Sequence, residues 1–202
     1  MYAYWSPMYE NIVESLKKSA IVEKGGYHYF VHPLTNGIPA CDPRMIEDIT
    51  DWMISVGNLN CDLILAPESM GIPYAVMLSA KTGIPYCIIR KISFGFEKEI
   101  EITQRTGYSK SSMYIYGVTE GKRVAIVDDV ISTAGTMNAI VSAVKMAGAV
   151  ITDILVPVNK DGGASRAAEY GISVKTLFNV DATPDGVSVS LSSEQSSDES
   201  DS

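Results

Sequence analysis

Val124-Ala125-Ile126-Val127-Asp128-Asp129-Val130-Ile131-Ser132-Thr133-Ala134-Gly135-Thr136 is an apolar strand that ends in two acids, crosses a turn of small residues and enters a helix. In open α/β sheets ligands lie beyond the carboxyl ends of the strands, so this turn is placed for binding. Between Ser132 and Thr136 every side chain is small and three carry hydroxyls. Backbone amides there can converge on an anion, helped by the amino terminus of the following helix. Asp128 and Asp129 would repel that anion. They suit sugar hydroxyls as acceptors, or a hydrated Mg²⁺ held through water.

Three further runs repeat the strand pattern: Asp62–Ala66, Tyr86–Arg90 and Ile151–Val158. Each is short and rich in Val, Ile or Leu, as expected of parallel strands covered on both faces. Helical spacing separates them. Pro43–Val56 carries Met45, Ile46, Ile49, Trp52, Met53 and Val56 on one face, with Pro43 in the first turn. Ile72–Lys81 runs to Gly83-Ile84-Pro85, Thr136–Ala147 closes at Gly148, and Ala164–Tyr170 stops before Gly171. Val174–Val180 reads as a final strand. The alternation predicts an α/β fold with a doubly wound parallel sheet, one domain spanning residues 1–185.

Two segments stand outside the alternation. Tyr27-His28-Tyr29-Phe30-Val31-His32, bounded by Gly25-Gly26 and Asn36-Gly37-Ile38-Pro39, reads as an antiparallel cap over one end of the sheet. Residues 92–115 show little apolar periodicity and many Gly, Ser, Thr and charged positions, which marks a long flexible flap. Residues 186–202 read as a disordered acidic, Ser-rich tail, the bias being strongest from Ser190.

The 202 residues carry a net charge of −8, but six acids and no Lys or Arg follow residue 180, leaving −2 for residues 1–180. A body this close to neutral lacks the basic surface a nucleic-acid partner requires. No apolar run reaches the ~18 residues that span a bilayer, and Met1–Pro7 lacks the basic start and apolar run of a signal peptide. Cys41, Cys61 and Cys87 are far apart and form no Cys-x-x-Cys pair, so reduced thiols in a cytoplasmic protein are expected, without zinc.

The run Val-Asp-Asp-Val-Ile-Ser-Thr-Ala-Gly-Thr closely resembles the 5-phosphoribosyl-1-pyrophosphate (PRPP) motif of type I phosphoribosyltransferases. The resemblance covers most of residues 15–180 and is nearest the archaeal hypoxanthine/guanine branch, with the layout of adenine phosphoribosyltransferases. It implies a small hood, about 20–42 plus 159–185, above the sheet. It gives Asp128 and Asp129 to the ribose hydroxyls, and Ser132, Thr133, Ala134, Gly135 and Thr136 to the 5′-phosphate. Human-type hypoxanthine/guanine enzymes place an Asp, a proposed base, where Ser132 stands, so proton transfer must lie elsewhere. Ala134, where many relatives have Gly, asks for no left-handed backbone.

By the same resemblance Glu68, Ser69, Met70 and Gly71 form the pyrophosphate turn, with a cis bond at Glu68-Ser69. Adenine-specific relatives commonly carry Arg where Met70 stands. Arg90 and Lys91, adjacent cations at a strand end, suit a diphosphate, and Tyr108 and Lys110 would join them from the flap. Glu99 aligns with a flap glutamate proposed as general acid/base, although Lys98-Glu99-Ile100-Glu101 also fits a solvated charged hairpin. For the base pocket the candidates are Phe30 (or Tyr27 or Tyr29) stacking on a purine, Val130, Asn159 and Lys160. Lys160 would donate to a 6-oxo group, whereas Asn159 can donate or accept and so does not choose between 6-oxo and 6-amino purines.

The implied activity is Mg²⁺-dependent purine salvage: 5-phosphoribosyl passes from PRPP to a purine, giving a nucleoside monophosphate and pyrophosphate. Hypoxanthine and guanine are favoured over adenine. Orotate phosphoribosyltransferases usually lack the residue represented by Ser132. A PRPP-sensing regulator would need a DNA-binding unit or basic face, for which the approximately twenty residues before the hood are too few. A homodimer is the family's usual state.

Overall fold

The computed structural model describes residues 6–105 and 110–192. In chain order it runs α1 (Ser6–Lys17), β1 (Ala20–Lys24), β2 (Tyr27–Val31), α2 (Pro33–Asn36), α3 (Pro43–Val56), β3 (Leu63–Pro67), α4 (Gly71–Thr82) and β4 (Tyr86–Ile89). It continues with β5 (Ile100–Arg105), β6 (Lys110–Ile115), β7 (Arg123–Val127), β8 (Val130–Ile131), α5 (Gly135–Met146), β9 (Val150–Leu155), β10 (Val158–Lys160), α6 (Gly163–Glu169), β11 (Phe178–Thr183) and β12 (Gly186–Leu191).

The central sheet has order β4-β3-β7-β9 and is parallel throughout. Side chains alternate across it, because successive Cβ atoms of a strand point to opposite faces. Leu63, Leu65, Val124 and Ile126 join Met137, Ile140 and Val144 of α5 in one core. Ile64, Ala66, Val127 and Leu155 join Ile12, Ile49, Met53 and Leu78 of α1, α3 and α4 in the other. Helices on both faces are the doubly wound arrangement the alternation predicts.

The predicted helices form with their boundaries nearly unchanged, and their ends explain why. Asp42 caps α3 by accepting from the Arg44 amide at 2.9 Å, and Pro43 occupies the first turn, where no amide is needed. Gly83 and Gly148 take left-handed φ values of 74° just after α4 and α5.

Several expectations are revised. The run 151–158 is two strands in different sheets: β9 ends the central sheet, while β10 starts beyond Pro157 and pairs with β8 and β11. The strand expected at 174–180 lies at 178–183 and is followed by a further strand, β12. The domain does not stop at 185. β12 pairs antiparallel with β11 over Gly186–Leu191, so Val187 and Val189 pack on the core. Its Val-Ser-Val-Ser alternation fits a half-buried strand, and the acidic bias beside it masks that signal. Residues 193–202, the rest of the predicted tail, lie outside the described residues. The flap is a hairpin, β5 on β6, whose Ile102 and Met113 are cross-strand partners buried on the α5 side.

The hood contains the β1–β2 hairpin, α2 and the mixed sheet β12-β11-β10-β8. His32 caps α2. Its Nδ1 accepts from the Leu34 amide at 3.2 Å, which leaves the ring proton on Nε2, 3.0 Å from Ser15 Oγ. Burial pushes this imidazole down from 6.5 to about 4. The unfolded chain therefore binds a proton that the folded chain refuses between these values, so this contribution to stability is lost as pH falls through that window. His32→Asn, which can still cap, is expected to remove that pH dependence. Its melting temperature, relative to wild type, should improve as pH drops from 6.5 to 4; a constant difference across that range overturns the assignment.

Candidate active site

Strand ends bring the site together. A cavity of about 510 Å³ opens at the carboxyl edge of the central sheet, within the range usual for small-molecule sites. Pro67 ends β3 and Glu68 and Ser69 follow it, Lys91 follows β4, and Asp128 and Asp129 follow β7. Val130 and Ile131 of β8, Ser132, Thr133, Ala134, and Thr136 and Met137 of α5 also line it. Ser112 and Met113 come from the flap hairpin. These two, with Ile131 and Met137, are lining residues that the sequence reading missed. Alternation of Ile100, Ile102, Met113 and Ile115 with polar residues was the available signal.

Asp128 and Asp129 are both part of this wall. Asp129 is 8% exposed, and its amide donates to Asp128 Oδ1 at 2.9 Å. Desolvation raises both carboxyls above the ordinary range, and for Asp129 the neighbouring Asp128 charge raises it further. Lys91 pulls Asp128 part of the way back. Two partly dehydrated carboxylates with few internal donors are strong acceptors for hydroxyls entering the cavity. Gly71, the first residue of α4, permits this crowding. A Cβ there would stand 3.3 Å from Asp128 Oδ1 and 3.2 Å from Val127 O.

The turn after β7 differs from expectation at Ala134, which has φ 60° and ψ −4°, the left-handed region. The chain must reverse there to enter α5, so the backbone that Gly would adopt freely is imposed on Ala at a cost of about 1–2 kcal/mol. Gly135, by contrast, is the first residue of α5.

In the turn after β3 the Glu68-Ser69 peptide is cis. Ser69 lines the cavity, whereas Met70 packs toward the hood, its Sδ and Cε 3.8 Å from where a Gly37 Cβ would be. The Glu68 carboxylate is a clip: one oxygen accepts from the Lys91 amide and the other pairs with Arg90 Nη1 at 3.2 Å. Arg90 is thereby turned from the cavity. Its guanidinium lies 5.9 Å from the Phe94 ring centroid and lines a second groove with Cys87, Phe96 and Tyr116. Of the expected cation pair only Lys91 reaches the first cavity.

Glu99 also stands outside it. Its carboxylate accepts from Ser93 Oγ at 2.7 and 2.9 Å, from the Tyr116 hydroxyl, and from the Phe94 and Gly95 amides at 3.3 Å each. These donors, Tyr116 foremost, hold it below its usual pKa. It closes the 93–99 turn at the root of the flap. Tyr108 lies outside the described residues, and Lys110 is placed only as the first residue of β6.

The base candidates separate. Phe30 is 5% exposed and packed in the core, so it is not available to stack on a ligand. Asn159 donates to Asn179 Oδ1 at 2.8 Å and accepts from the Ala164 amide at 2.8 Å, which commits its amide to the hood. Lys160 is 4% exposed and ion-paired with Asp161. Val130 lines the cavity and pairs with Val158, bringing β10 alongside. Gly163, the first residue of α6, lies directly against the backbone of the turn after β8. A Cβ there would lie 2.4 Å from Ile131 O and 2.7 Å from Ser132 Cα.

Comparison with known proteins agrees with this geometry. Residues 42–190 match the phosphoribosyl transferase domain. The chain is 46% identical over 182 residues to a hypoxanthine/guanine phosphoribosyltransferase of Methanohalophilus mahii, covering 90% of this chain and 96% of that protein. A protein of the same name from Ferroglobus placidus is 41% identical over 182 residues, covering 90% and 97%. In fold, the chain superposes on the crystal structure of adenine phosphoribosyltransferase from Thermoanaerobacter pseudethanolicus with TM-score 0.69 at 21% identity, over 84% of this chain and 98% of that one. A parallel sheet with the acid pair and small-residue loop at its carboxyl edge, matched over these lengths, makes the chain a member of the type I phosphoribosyltransferase family.

Proposed function

We propose that the protein transfers 5-phosphoribosyl from PRPP to N9 of a 6-oxopurine, hypoxanthine or guanine, releasing pyrophosphate. One observation carries this reading: the Asp128–Asp129 pair and Ser132, Thr133, Ala134 and Thr136 line one cavity of about 510 Å³, which Gly135 does not line. The choice of base rests on the 40–46% identical relatives, which are named hypoxanthine/guanine enzymes. A steady-state screen of adenine, hypoxanthine, guanine, xanthine and orotate with PRPP tests it. Turnover with adenine alone overturns the choice of base, and no pyrophosphate with any base overturns the transfer itself.

In this mechanism the C1′–oxygen bond to the diphosphate breaks as N9 bonds to C1′, and the N9 proton leaves. Asp128 and Asp129 accept from the ribose hydroxyls and orient the ring. The 132–136 loop holds the 5′-phosphate through its amides and hydroxyls, while Ser69 and Lys91 face the leaving diphosphate. Met113 and Ser112 form the flap side of the chamber, and excluding water there protects a cation-like ribose centre from hydrolysis. Two carboxylates suit a hydrated Mg²⁺, and the described residues contain no cluster of three acidic, His or Cys ligands. Bound with PRPP, the metal would neutralise diphosphate charge. A homodimer and a cytoplasmic site complete the proposal; the unpaired Cys41, Cys61 and Cys87 fit a reducing compartment.

Glu99 is the proposed acceptor of the N9 proton, which requires the 93–99 turn to open as the flap closes. Glu99→Gln is then expected to lower kcat by about a hundredfold with KM for PRPP little changed. An unaltered kcat assigns Glu99 to the turn alone.

A further inference from the structure

We infer that Arg166 is a positioning residue for the 5′-phosphate loop, acting through the Ser132–Thr133 peptide. The inference rests on the phosphoribosyl reading above. Arg166 Nη1 on α6 donates to the Ser132 carbonyl at 2.7 Å. Among the described residues the two cis peptides lie elsewhere, at Ile38-Pro39 and Glu68-Ser69. In a trans peptide the carbonyl and the next N–H point in opposite directions. Fixing the Ser132 carbonyl toward α6 therefore fixes the Thr133 N–H on the other side, and Thr133 lines the cavity. A cationic donor on the carbonyl also polarises the peptide, which makes that N–H a better donor to an anion.

The loop has reason to need an external brace. Ala134 holds a left-handed backbone without glycine, and α5 begins there with no side-chain cap. The support behind Arg166 is firm. Ala167 of α6 is fully buried, Asn159 accepts from the Ala164 amide, and Gly163 lets the helix lie directly on the Ile131–Ser132 backbone. Arg166 reaches the loop from this support with a hydrogen bond. It is exposed, so its effect is that of one ordinary hydrogen bond.

The test uses the full chain as wild type, Arg166→Gln and Arg166→Lys, the first keeping most of the aliphatic stem so that folding is retained. Kd for ribose 5-phosphate, KM for PRPP and for hypoxanthine, and thermal unfolding are measured. Arg166→Gln is expected to raise Kd for ribose 5-phosphate and KM for PRPP about threefold to tenfold, with KM for hypoxanthine unchanged and Arg166→Lys in between. Wild-type values of the first two in Arg166→Gln overturn the inference. So does an equal loss for both substrates with a lowered melting temperature, which marks a purely structural prop. A wild-type protein that neither binds ribose 5-phosphate nor releases pyrophosphate from PRPP fails the phosphoribosyl reading itself, and the inference falls with it.

Discussion

Asp129→Asn, alone or with Asp128→Asn, is expected to lower kcat/KM for PRPP by about a hundredfold or more while making the ligand-free protein more stable at pH 7. Loss of activity follows from replacing a charged acceptor with an amide. Hydrogen bonds to charged groups contribute about 1.5–3 kcal/mol each, and a ribose presents two hydroxyls to the pair. The gain in stability has a separate origin. Asp129 is 8% exposed beside Asp128, and both carboxyls are raised by desolvation. The folded chain thus holds protons that the unfolded chain releases, so wild-type stability falls as pH rises from the ordinary carboxylate range through the raised values. Asn carries no charge and escapes that loss. Relief of about 1 kcal/mol corresponds to about 2–4 °C in a chain of this size. Melting curves between pH 4 and 7, without PRPP or magnesium, should show the advantage of Asp129→Asn growing with pH. An equal or lower melting temperature at pH 7 removes the desolvation argument, and retained turnover removes the pair from the reaction.

The second large effect is expected at Gly163. Its added methyl would meet Ile131 O at 2.4 Å, Ile131 C at 2.5 Å and Ser132 Cα at 2.7 Å, all backbone atoms. Neither side can rotate away, so Gly163→Ala must displace either α6 or the phosphate loop. A shift on the order of 1 Å in a positioning element can cost a hundredfold in rate, and overpacking costs about 1–3 kcal/mol in stability. Gly162 is the matched control. It has φ 76° with nothing within 4 Å of its would-be Cβ, so Gly162→Ala strains one backbone residue without touching the loop. The expected result is kcat/KM for PRPP reduced about a hundredfold in Gly163→Ala and much less in Gly162→Ala. Equal behaviour of the two variants shows that the loop does not depend on the α6 contact.

Much of the architecture is legible locally. Strand, acid pair, small-residue turn and helix follow one another within thirteen residues, so their order is visible without distant partners. The periodicity of α3 and the capping residues Asp42, Gly83 and Gly148 are likewise local, and these helices form where they are expected. Short strands are harder. Pro157 divides what reads as one apolar run, because a strand can change sheets wherever a different neighbour offers hydrogen bonds. β12 is hidden by the serine and acid bias of the segment around it, although its pairing with β11 is complete.

The sequence by itself determined the parallel α/β class and the place of the Asp128–Thr136 run, since these depend on residue order and backbone conformation over a few positions, and the resemblance of that run to the PRPP motif carried the reaction class. Only the tertiary structure decided what the individual side chains face. It put Phe30 in the core, occupied Asn159 with Asn179 and Ala164, turned Arg90 toward Glu68 and Phe94, and set Glu99 into its own turn. It also separated two adjacent glycines, one needed for its backbone angle and the other for the space its missing side chain leaves. A residue's type states which contacts it can make. Which one it makes depends on partners that lie tens of residues away, and folding alone brings them within reach.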